Sequence, residues 1–477
     1  MLKNDSTAMS TAIIMYFCDK LFYSQLEPRR RMVTGHKNNK SITDRNGERV
    51  CSWLVFLFFL IGFYASNSGG VTTLFNPQFG YQGWEISEWL INYEGGFVRR
   101  GITGQLLLEL EQLHLYDVRI AIQLVYMVSS LVVLYILYRI FKTEGWSPLL
   151  LPTGMCVGFT LFNLWGRKDF VILSLAFAIF LCYRLAVTRS SKVLTAWFSL
   201  YILAALQLLV HEAAFFFTYP ILMLHSYHTM RATGHSRARS TALAVMFFLP
   251  VLTVMAVVCL SRGDKGVADA IWASWGNVFA AYPSSADPTQ VGLGVQALGW
   301  DMASAFAKHL YGAFVGNSSP SLWRVPLTML VLLSVYYLIT RIDISTMGKS
   351  RAKPADHMLL SNVALVQFIS LVPMFTILSC DWGRTLPYWV LSTLMFYHVF
   401  HHDGMVPFSA MLTRTSRAIQ DFIDSHKPLS SPLFYLLLVL LTPIPNYYAP
   451  LDHLNTIQQR CCAYILDVIN HITILLS

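Results

Sequence analysis

The sequence predicts an all-α integral membrane protein that crosses the bilayer about eleven times. Of its 477 residues, 55% are hydrophobic and only 13% are charged, and the mean hydropathy is +0.49. A soluble globular chain carries about 25% charged residues. Apolar runs of roughly 15 to 22 residues recur along the chain, close to the length a helix needs to cross a hydrocarbon core. The composition therefore excludes an ordinary soluble domain.

Eleven apolar segments are predicted to span the membrane, and a twelfth candidate lies near the end of the sequence. Several are shorter than the norm, and Pro220 lies within one of them, so broken or tilted helices are expected. The predicted spans are 50–65, 120–140, 148–164, 170–185, 194–210, 214–227, 242–260, 325–339, 359–378, 387–400 and 432–447, with 463–476 as the twelfth.

The distribution of Lys and Arg predicts the orientation. When residues 1–50 are placed in the cytoplasm, 24 of the 35 Lys and Arg residues fall on that side, and each loop there is basic. The net charge of +9 then reflects topology and contact with anionic lipid, so no nucleic-acid partner is expected. Residues 1–49 are predicted to be a basic cytoplasmic tail without a signal peptide, and residues 50–477 the transmembrane domain.

Two large loops are predicted on the outer, periplasmic side, at about 66–119 and 261–324. The first contains two segments with the pattern of helices that lie along a membrane surface. These helices, 84–92 and 102–115, are expected to direct apolar side chains to the bilayer, namely Trp89, Leu90 and Ile91 from the first and Leu106, Leu107, Leu110 and Leu113 from the second.

The sharpest motif of the chain joins these two segments. Three glycines, at positions 95, 96 and 101, surround Arg99 and Arg100. Glycine permits close backbone approach, and adjacent guanidinium groups suit bidentate contact with phosphate oxygens. The motif therefore predicts a phosphate site. The alternative is that the two arginines contact lipid head groups or cap the following helix.

Three further charged clusters are predicted on the same outer face, each in a tight turn between helices. A charge near the membrane plane requires a partner or a wet cavity, so clusters that share one face indicate a site. For each, the alternative is a structural ion pair or a helix cap. The clusters are Arg167, Lys168 and Asp169; His211 and Glu212; and Asp381 and Arg384.

No metal and no cofactor are expected. His398, His401, His402 and Asp403 have metal-ligand side chains, but they fall at the predicted cytoplasmic end of a helix, away from the other clusters. The eight cysteines show no metal-type spacing and predict no disulfide framework. Nucleotide-binding and hydrolase motifs are absent from the positions where they could work.

Cations, carboxylates, a histidine and many aromatics at a membrane surface suit a lipid-linked sugar phosphate as donor. The cations would bind the leaving phosphate, and a carboxylate or histidine would take a proton from the acceptor hydroxyl. Glu94 and Glu88 are the first choices for this base. The remaining catalytic candidates are His211, Glu212, Glu85 and Asp381, and the phosphate-binding candidates are Arg99, Arg100, Arg167, Lys168 and Arg384.

The layout resembles two groups of bacterial envelope enzymes. A first outer loop with acidic surface helices, followed by a second large outer loop, is similar to polyprenyl-phosphate-sugar glycosyltransferases of the GT-C type. In that resemblance Glu85 and Glu88 occupy the segment that carries the catalytic acid. The outward arginines look equally like those of O-antigen or capsule polymerases, in which outer-loop arginines hold a diphosphate-linked donor.

The expected function is therefore extension or decoration of a bacterial surface polysaccharide, in the inner membrane and from an undecaprenyl-linked sugar. The expected partners are the lipid-linked donor, a glycan acceptor, the bilayer and other membrane proteins of polysaccharide assembly. A repeat-unit polymerase is the first alternative. A flippase of lipid-linked sugars would need charges along a whole passage, and a polysaccharide acyltransferase would centre on His211.

The topology can be tested by cysteine labelling in intact cells. We expect cysteines placed near Arg99, Asp169, Arg262 and Asp381 to react from outside. Cysteines near Arg237, Lys349 and Arg414 should react only after permeabilisation, because the basic loops remain inside. Labelling of Arg99 and Asp381 from opposite sides would contradict a common site.

Overall fold

The protein is helical throughout the part that the structure describes, apart from two very short strands. The computed structural model describes residues 81, 83–113, 118–143, 166–188, 193–281, 289–300, 307, 360–374, 382–400, 443–444 and 455–456.

Four of the described helices are long and apolar enough to cross a membrane, as the predicted helical membrane class requires. They are α3 (Val118–Thr143), α4 (Asp169–Thr188), α5 (Val193–Val210) and α7 (Arg237–Leu260). Between α5 and α7 lies α6 (Ala214–Ala232), which contains Pro220. Two more apolar helices follow later in the chain, α11 (Leu360–Pro373) and α12 (Trp382–Phe400).

These seven helices coincide with seven of the predicted spans, and they pack into one bundle. Helix α4 packs along α5 and also contacts α3 and α12, while α6 contacts α7 and α11. The other predicted spans, 50–65, 148–164, 325–339 and 463–476, lie outside the described residues.

The helix predicted at 432–447 is wrong at Pro443–Ile444, which form β1 and pair antiparallel with β2 (Asn455–Thr456). Proline at 445 favours extended backbone at the residue before it.

Two buried glutamines of the bundle have hydrogen-bond partners on neighbouring helices. Gln207 of α5 donates to the carbonyl of Ile172 at 2.9 Å and accepts from the hydroxyl of Tyr219 at 2.8 Å. Gln367 of α11 donates to the carbonyl of Phe217 at 2.8 Å. Because an unpaired amide in an apolar interior is costly, these bonds fix how the helices face each other.

The segment predicted as the first outer loop, which keeps that name below, has the two predicted helical segments with changed bounds. Helix α1 (Trp84–Ser87) continues into a 3₁₀ turn (Glu88–Leu90), and α2 spans Gly101–Gln112. In the second loop lie α8 (Lys265–Ser274), α9 (Gly276–Ala281), α10 (Leu293–Gln296) and a 3₁₀ turn (Ala297–Gly299). Asp264 caps the N-terminus of α8, because its side chain accepts from the backbone N–H of Val267 at 2.8 Å.

The two outer loops share one apolar core, and this finding overturns one expectation. Trp89, Leu90 and Ile91 are buried within the protein and do not face the bilayer. They pack with Trp272 and Trp275 of the second loop in a cluster defined here as the loop core. The Trp275 indole donates to the carbonyl of Leu90 at 2.9 Å. The sequence pattern showed that this segment has an apolar face, and the second loop is what covers it.

Helix α2 has both a buried and an exposed apolar face. Leu107 and Leu108 are buried against the protein, whereas Leu106, Leu110 and Leu113 are exposed. The exposed leucines lie at spacings of four and three residues, so they share one side of the helix. The prediction of an apolar stripe is therefore correct for these three residues, and it is wrong for Leu107.

The backbones of α2 and of the segment after the Glu88–Leu90 turn lie so close together that one added methyl group at Gly104 is expected to lower the stability of the protein. A Cβ at Gly104 would lie 2.0 Å from the carbonyl oxygen of Ile91, whereas a Cβ at Gly276 would meet nothing within 4 Å. We expect Gly104→Ala to destabilise the protein by about 1–3 kcal/mol and to lower the apparent Tm in detergent. Gly276→Ala is the matched control and should leave the Tm unchanged or raise it. Equal Tm values for both variants would contradict the close contact.

Candidate functional site

The candidate site lies where the first outer loop meets the ends of four bundle helices, α4, α5, α6 and α7. The turn at Gly166–Asp169 precedes α4, the turn at His211–Ala213 joins α5 to α6, and Ser261 follows α7. Six charged or titratable side chains meet here, and we call them the charged cluster. Its members are Glu88, Arg99, Arg100, Lys168, His211 and Glu212.

Arg100 occupies the centre of the charged cluster in an uncommon backbone conformation. Its φ of 66° is left-handed, and no other non-glycine residue in the described part has a positive φ. Such a conformation costs on the order of 1–3 kcal/mol and persists only where the surroundings impose it. Here the ammonium group of Lys168 donates to the Arg100 carbonyl at 3.3 Å. The next residue, Gly101, begins α2 against the Tyr93 ring, where a Cβ would collide.

The Arg100 guanidinium bridges two carboxylates that come from distant parts of the chain. Its Nε donates to both oxygens of Glu212, at 3.1 and 2.9 Å, and its Nη2 donates to Glu212 Oε1 at 2.5 Å. Its Nη1 donates to Glu88 Oε1 at 3.1 Å. The Glu88 side chain is 1% exposed and that of Glu212 is 15% exposed. Charge-assisted bonds of this kind are what permit two carboxylates to lie together away from water.

His211 lies against the same oxygen of Glu88. Its Nε2 is 3.3 Å from Glu88 Oε1, and its Nδ1 accepts from the backbone N–H of Ala213 at 3.2 Å. Because Nδ1 is an acceptor, the neutral ring carries its proton on Nε2, the atom that faces Glu88. Burial lowers the pKa of His211, the charge of Arg100 lowers it further, and the two glutamates act in the opposite direction. The ring is therefore neutral at neutral pH.

Lys168 is fully buried beside the cluster. Its Nζ lies 5.8 Å from the ring centroid of Trp89, and the Trp89 indole donates to the carbonyl of Gly166. Burial lowers the pKa of Lys168 to about 7, while the charge of Glu88 raises it and that of Arg100 lowers it. Lys168 can thus lose its proton near neutral pH without leaving its position.

Glu212 is ionised in this setting. Burial alone raises its pKa, but Arg100, His211 and Arg99 together outweigh burial and hold the pKa of this carboxyl well below its usual range. A carboxylate with a lowered pKa is a weak base. Glu212 is therefore better suited to holding Arg100 than to accepting a proton.

Arg99 differs from its neighbour in exposure and in partners. Its side chain is 30% exposed, and its Nη1 lies 3.6 Å from Glu212 Oε1, beyond hydrogen-bonding distance. Its backbone N–H donates to the carbonyl of Ser261 at 3.1 Å. The two adjacent arginines, predicted as one phosphate grip, thus have different surroundings.

A second buried network lies next to the charged cluster, inside the bundle. The Tyr388 hydroxyl of α12 donates to Asp169 Oδ1, and Arg167 Nε lies 3.9 Å from Asp169 Oδ2. All three residues are buried. Arg167 therefore faces a carboxylate in the bundle interior and is not presented at the surface with Arg99.

The remaining candidates are placed apart from the charged cluster or outside the description. Glu94 is exposed and makes no ion pair in the described part, while its backbone N–H donates to the Asn92 side chain at 3.1 Å. Glu85 is partly buried in the first turn of α1. Arg384 belongs to the first turn of α12, and Asp381 lies outside the described residues.

Three residues near the site were missed by the sequence analysis. The sequence pattern predicts Trp89 against the bilayer, Tyr388 within an apolar span and Arg262 on the outer side, with no role for any of them at the site. Arg262 could have been recognised as a site candidate from its predicted position on the outer side, where basic residues are uncommon. No pattern in the sequence distinguishes Tyr388 from the other aromatics of its helix.

The arrangement is suited to acid–base chemistry next to a bound anion. It combines carboxylates, a neutral histidine, a lysine that titrates near neutral pH and an accessible guanidinium. Among the described residues, no group of three or more His, Cys, Asp or Glu side chains is arranged to hold a metal ion. Comparisons with protein families, with curated proteins and with solved structures found no match to this chain.

The lowered pKa of Lys168 predicts how stability depends on pH. Between its folded pKa of about 7 and the ordinary value of 10.5, the folded protein binds fewer protons than the unfolded chain. Stability from this group is thus absent below pH 7 and increases as pH rises above it. We expect the apparent Tm to rise between pH 7 and about pH 8.5. The ordinary pKa values of Asp, Glu and His lie below this window, and those of Tyr, Lys and Arg lie above it.

Two variants and a control isolate this contribution. Lys168→Met should reduce the rise in Tm across that window, and Lys265→Met, at an exposed lysine of the second loop, should retain it. If Lys168→Met does not fold, Lys168→Arg, which stays charged across the window, serves the same purpose. An unchanged slope in the Lys168 variant would show that Lys168 has an ordinary pKa.

Proposed function

We propose that this protein is a membrane-embedded glycosyltransferase that uses a sugar linked to a polyprenyl phosphate at the outer face of a bacterial inner membrane. The observation that carries the proposal is the charged cluster itself, at one end of an apolar helix bundle. An anionic lipid-linked donor places its phosphate and sugar at the depth where such helix ends meet water. The proposal includes the predicted topology of about eleven spans with a cytoplasmic N-terminus.

The reaction divides into two tasks that the cluster can perform. The bond between the anomeric carbon and the phosphate oxygen breaks, and the electron pair leaves with the lipid phosphate. The acceptor hydroxyl oxygen forms the new bond to the anomeric carbon and gives its proton to a base. Cations stabilise the charge that develops on the phosphate, and a carboxylate takes the proton.

We assign the base to Glu88. Glu212 is held by several bonds from Arg100, and its pKa is well below the usual range, so it is a poor proton acceptor. His211 Nδ1 already accepts a backbone N–H, and its other nitrogen carries the proton. Glu88 receives only one of the four bonds that Arg100 gives to carboxylates, and His211 Nε2 lies 3.3 Å from the same Glu88 oxygen, so Glu88 is oriented but less strongly held than Glu212. Glu94, the other first choice, is exposed and forms no ion pair with these groups within the described residues.

Removal of the basic oxygen tests the assignment. We expect Glu88→Gln to lower the transfer rate at least a hundredfold, because general-base catalysis contributes roughly 10²–10⁴-fold. The purified protein in nanodiscs is given a polyprenyl-linked sugar and a glycan acceptor, and the released lipid phosphate is measured. Glu109→Gln, at an exposed glutamate of α2, is the matched control and should retain the full rate.

Glu94→Gln separates the two first choices for the base. Full activity is expected, since Glu94 is exposed and has no described ion-pair partner. Loss of activity in Glu94→Gln with retention in a folded Glu88→Gln would move the base to Glu94. Normal transfer by both variants would reject Glu88 and Glu94 as the base. The product distinguishes a repeat-unit polymerase, which lengthens the glycan by whole repeats, from a transferase that adds one sugar.

A further inference from the structure

Arg262, from the second outer loop, lies beside Arg99 of the first. The backbone bond from Arg99 N–H to the Ser261 carbonyl, at 3.1 Å, joins the two loops one residue before Arg262. The Arg262 Nε donates to the Cys259 carbonyl at 3.4 Å, and its side chain is exposed. Burial lowers the pKa of Arg99, Glu212 raises it, and Arg100 and Arg262 lower it further, so the guanidiniums are near enough to repel.

Arg99 and Arg262 differ from Arg100 in their hydrogen-bond partners. Arg100 forms four hydrogen bonds to carboxylate oxygens. Arg99 Nε is buried and has no hydrogen-bond partner within the described residues, and Arg262 forms no ion pair with any described carboxylate. Two neighbouring cations with unused donors are unfavourable alone and become favourable when an anion lies between them.

Exposed apolar side chains occur on the same loop as Arg99. Phe97, two residues before Arg99, is 51% exposed, and the exposed leucines of α2 follow along the same loop. A ligand that is anionic at one end and apolar over the rest of its length would contact both surfaces. A free phosphate ion would use only the cations.

We propose that Arg99 and Arg262 together bind the phosphate of the lipid-linked donor, while Arg100 holds the carboxylates in place. The proposal rests on the proposed function and deepens it, because it assigns separate tasks to two adjacent arginines and adds a residue from the second loop. Each guanidinium supplies a fork of N–H donors to the phosphate oxygens. The prenyl chain lies along Phe97 and the exposed leucines of α2.

Binding of a prenyl monophosphate to the full-length protein in neutral nanodiscs tests the assignment without requiring catalysis. We expect Arg99→Ala and Arg262→Ala each to weaken binding at least tenfold, and Arg262→Lys to weaken it less than Arg262→Ala. Arg239→Ala is the matched control, because Arg239 is an exposed arginine at the opposite end of α7, and it should bind as the wild type does. Unchanged binding in a folded Arg262→Ala variant would overturn the proposal.

Two competitors identify the source of the phosphate. Inorganic phosphate should compete at least a hundredfold more weakly than the prenyl phosphate, because it lacks the apolar chain. Vesicles of phosphatidylglycerol should compete weakly as well. Equal competition by inorganic phosphate would make this a site for free phosphate, and equal competition by the vesicles would make it a general head-group site. Either result would overturn the assignment to the lipid-linked donor.

Failure of this inference can be told apart from failure of the proposed function. Sugar transfer at the wild-type rate by Arg262→Ala would reject the role of Arg262 and leave the transferase in place. Arginine-dependent binding of prenyl phosphate, with no transfer from any of the polyprenyl-linked sugars tried, would support the phosphate site and count against the transferase.

Discussion

The bridge that Arg100 forms between Glu88 and Glu212 is the interaction on which the rest of the site depends. Two carboxylates with little exposure would repel each other and favour protonation if no cation lay between them. The guanidinium fork bonds to both, and the Arg100 backbone that carries it is left-handed. The first outer loop, the α5–α6 turn and the start of α4 are therefore held together at one point.

The loop core fixes the backbone of the turn that carries Glu88, and so it supports the bridge. Glu88 belongs to a 3₁₀ turn that is packed against the second loop, where a Cβ at Gly294 would lie 2.7 Å from the Glu88 backbone nitrogen. The Ser87 hydroxyl accepts from the N–H of Gly294 at 2.8 Å. A charged side chain can be held in a fixed direction only by a rigid backbone, and the aromatic packing of the two loops provides it.

Few of the ionisable side chains at the site carry a charge that is not balanced by a neighbour. His211 is neutral, and Lys168 titrates near neutral pH because both are removed from water. Arg100 is matched by two glutamates, and Asp169 lies against Arg167 and Tyr388. The cations that remain available, Arg99 and Arg262, are the more exposed ones. Exposure thus distinguishes Arg99 and Arg262, which can meet a phosphate, from Arg100, which holds the two carboxylates.

The sequence by itself determined the membrane class, the approximate bounds of seven helices and the presence of Glu88, Arg99, Arg100, Lys168, His211 and Glu212 among the candidates. Hydropathy and tight turns suffice for this, because apolar length and the cost of charge near a membrane are local properties. Only the tertiary structure decided which carboxylate meets Arg100, that Arg99 lies beside Ser261 and Arg262, and that Trp89 is covered by the second loop. These pairings join residues up to about two hundred positions apart, and they depend on backbone direction and packing, which no local pattern encodes.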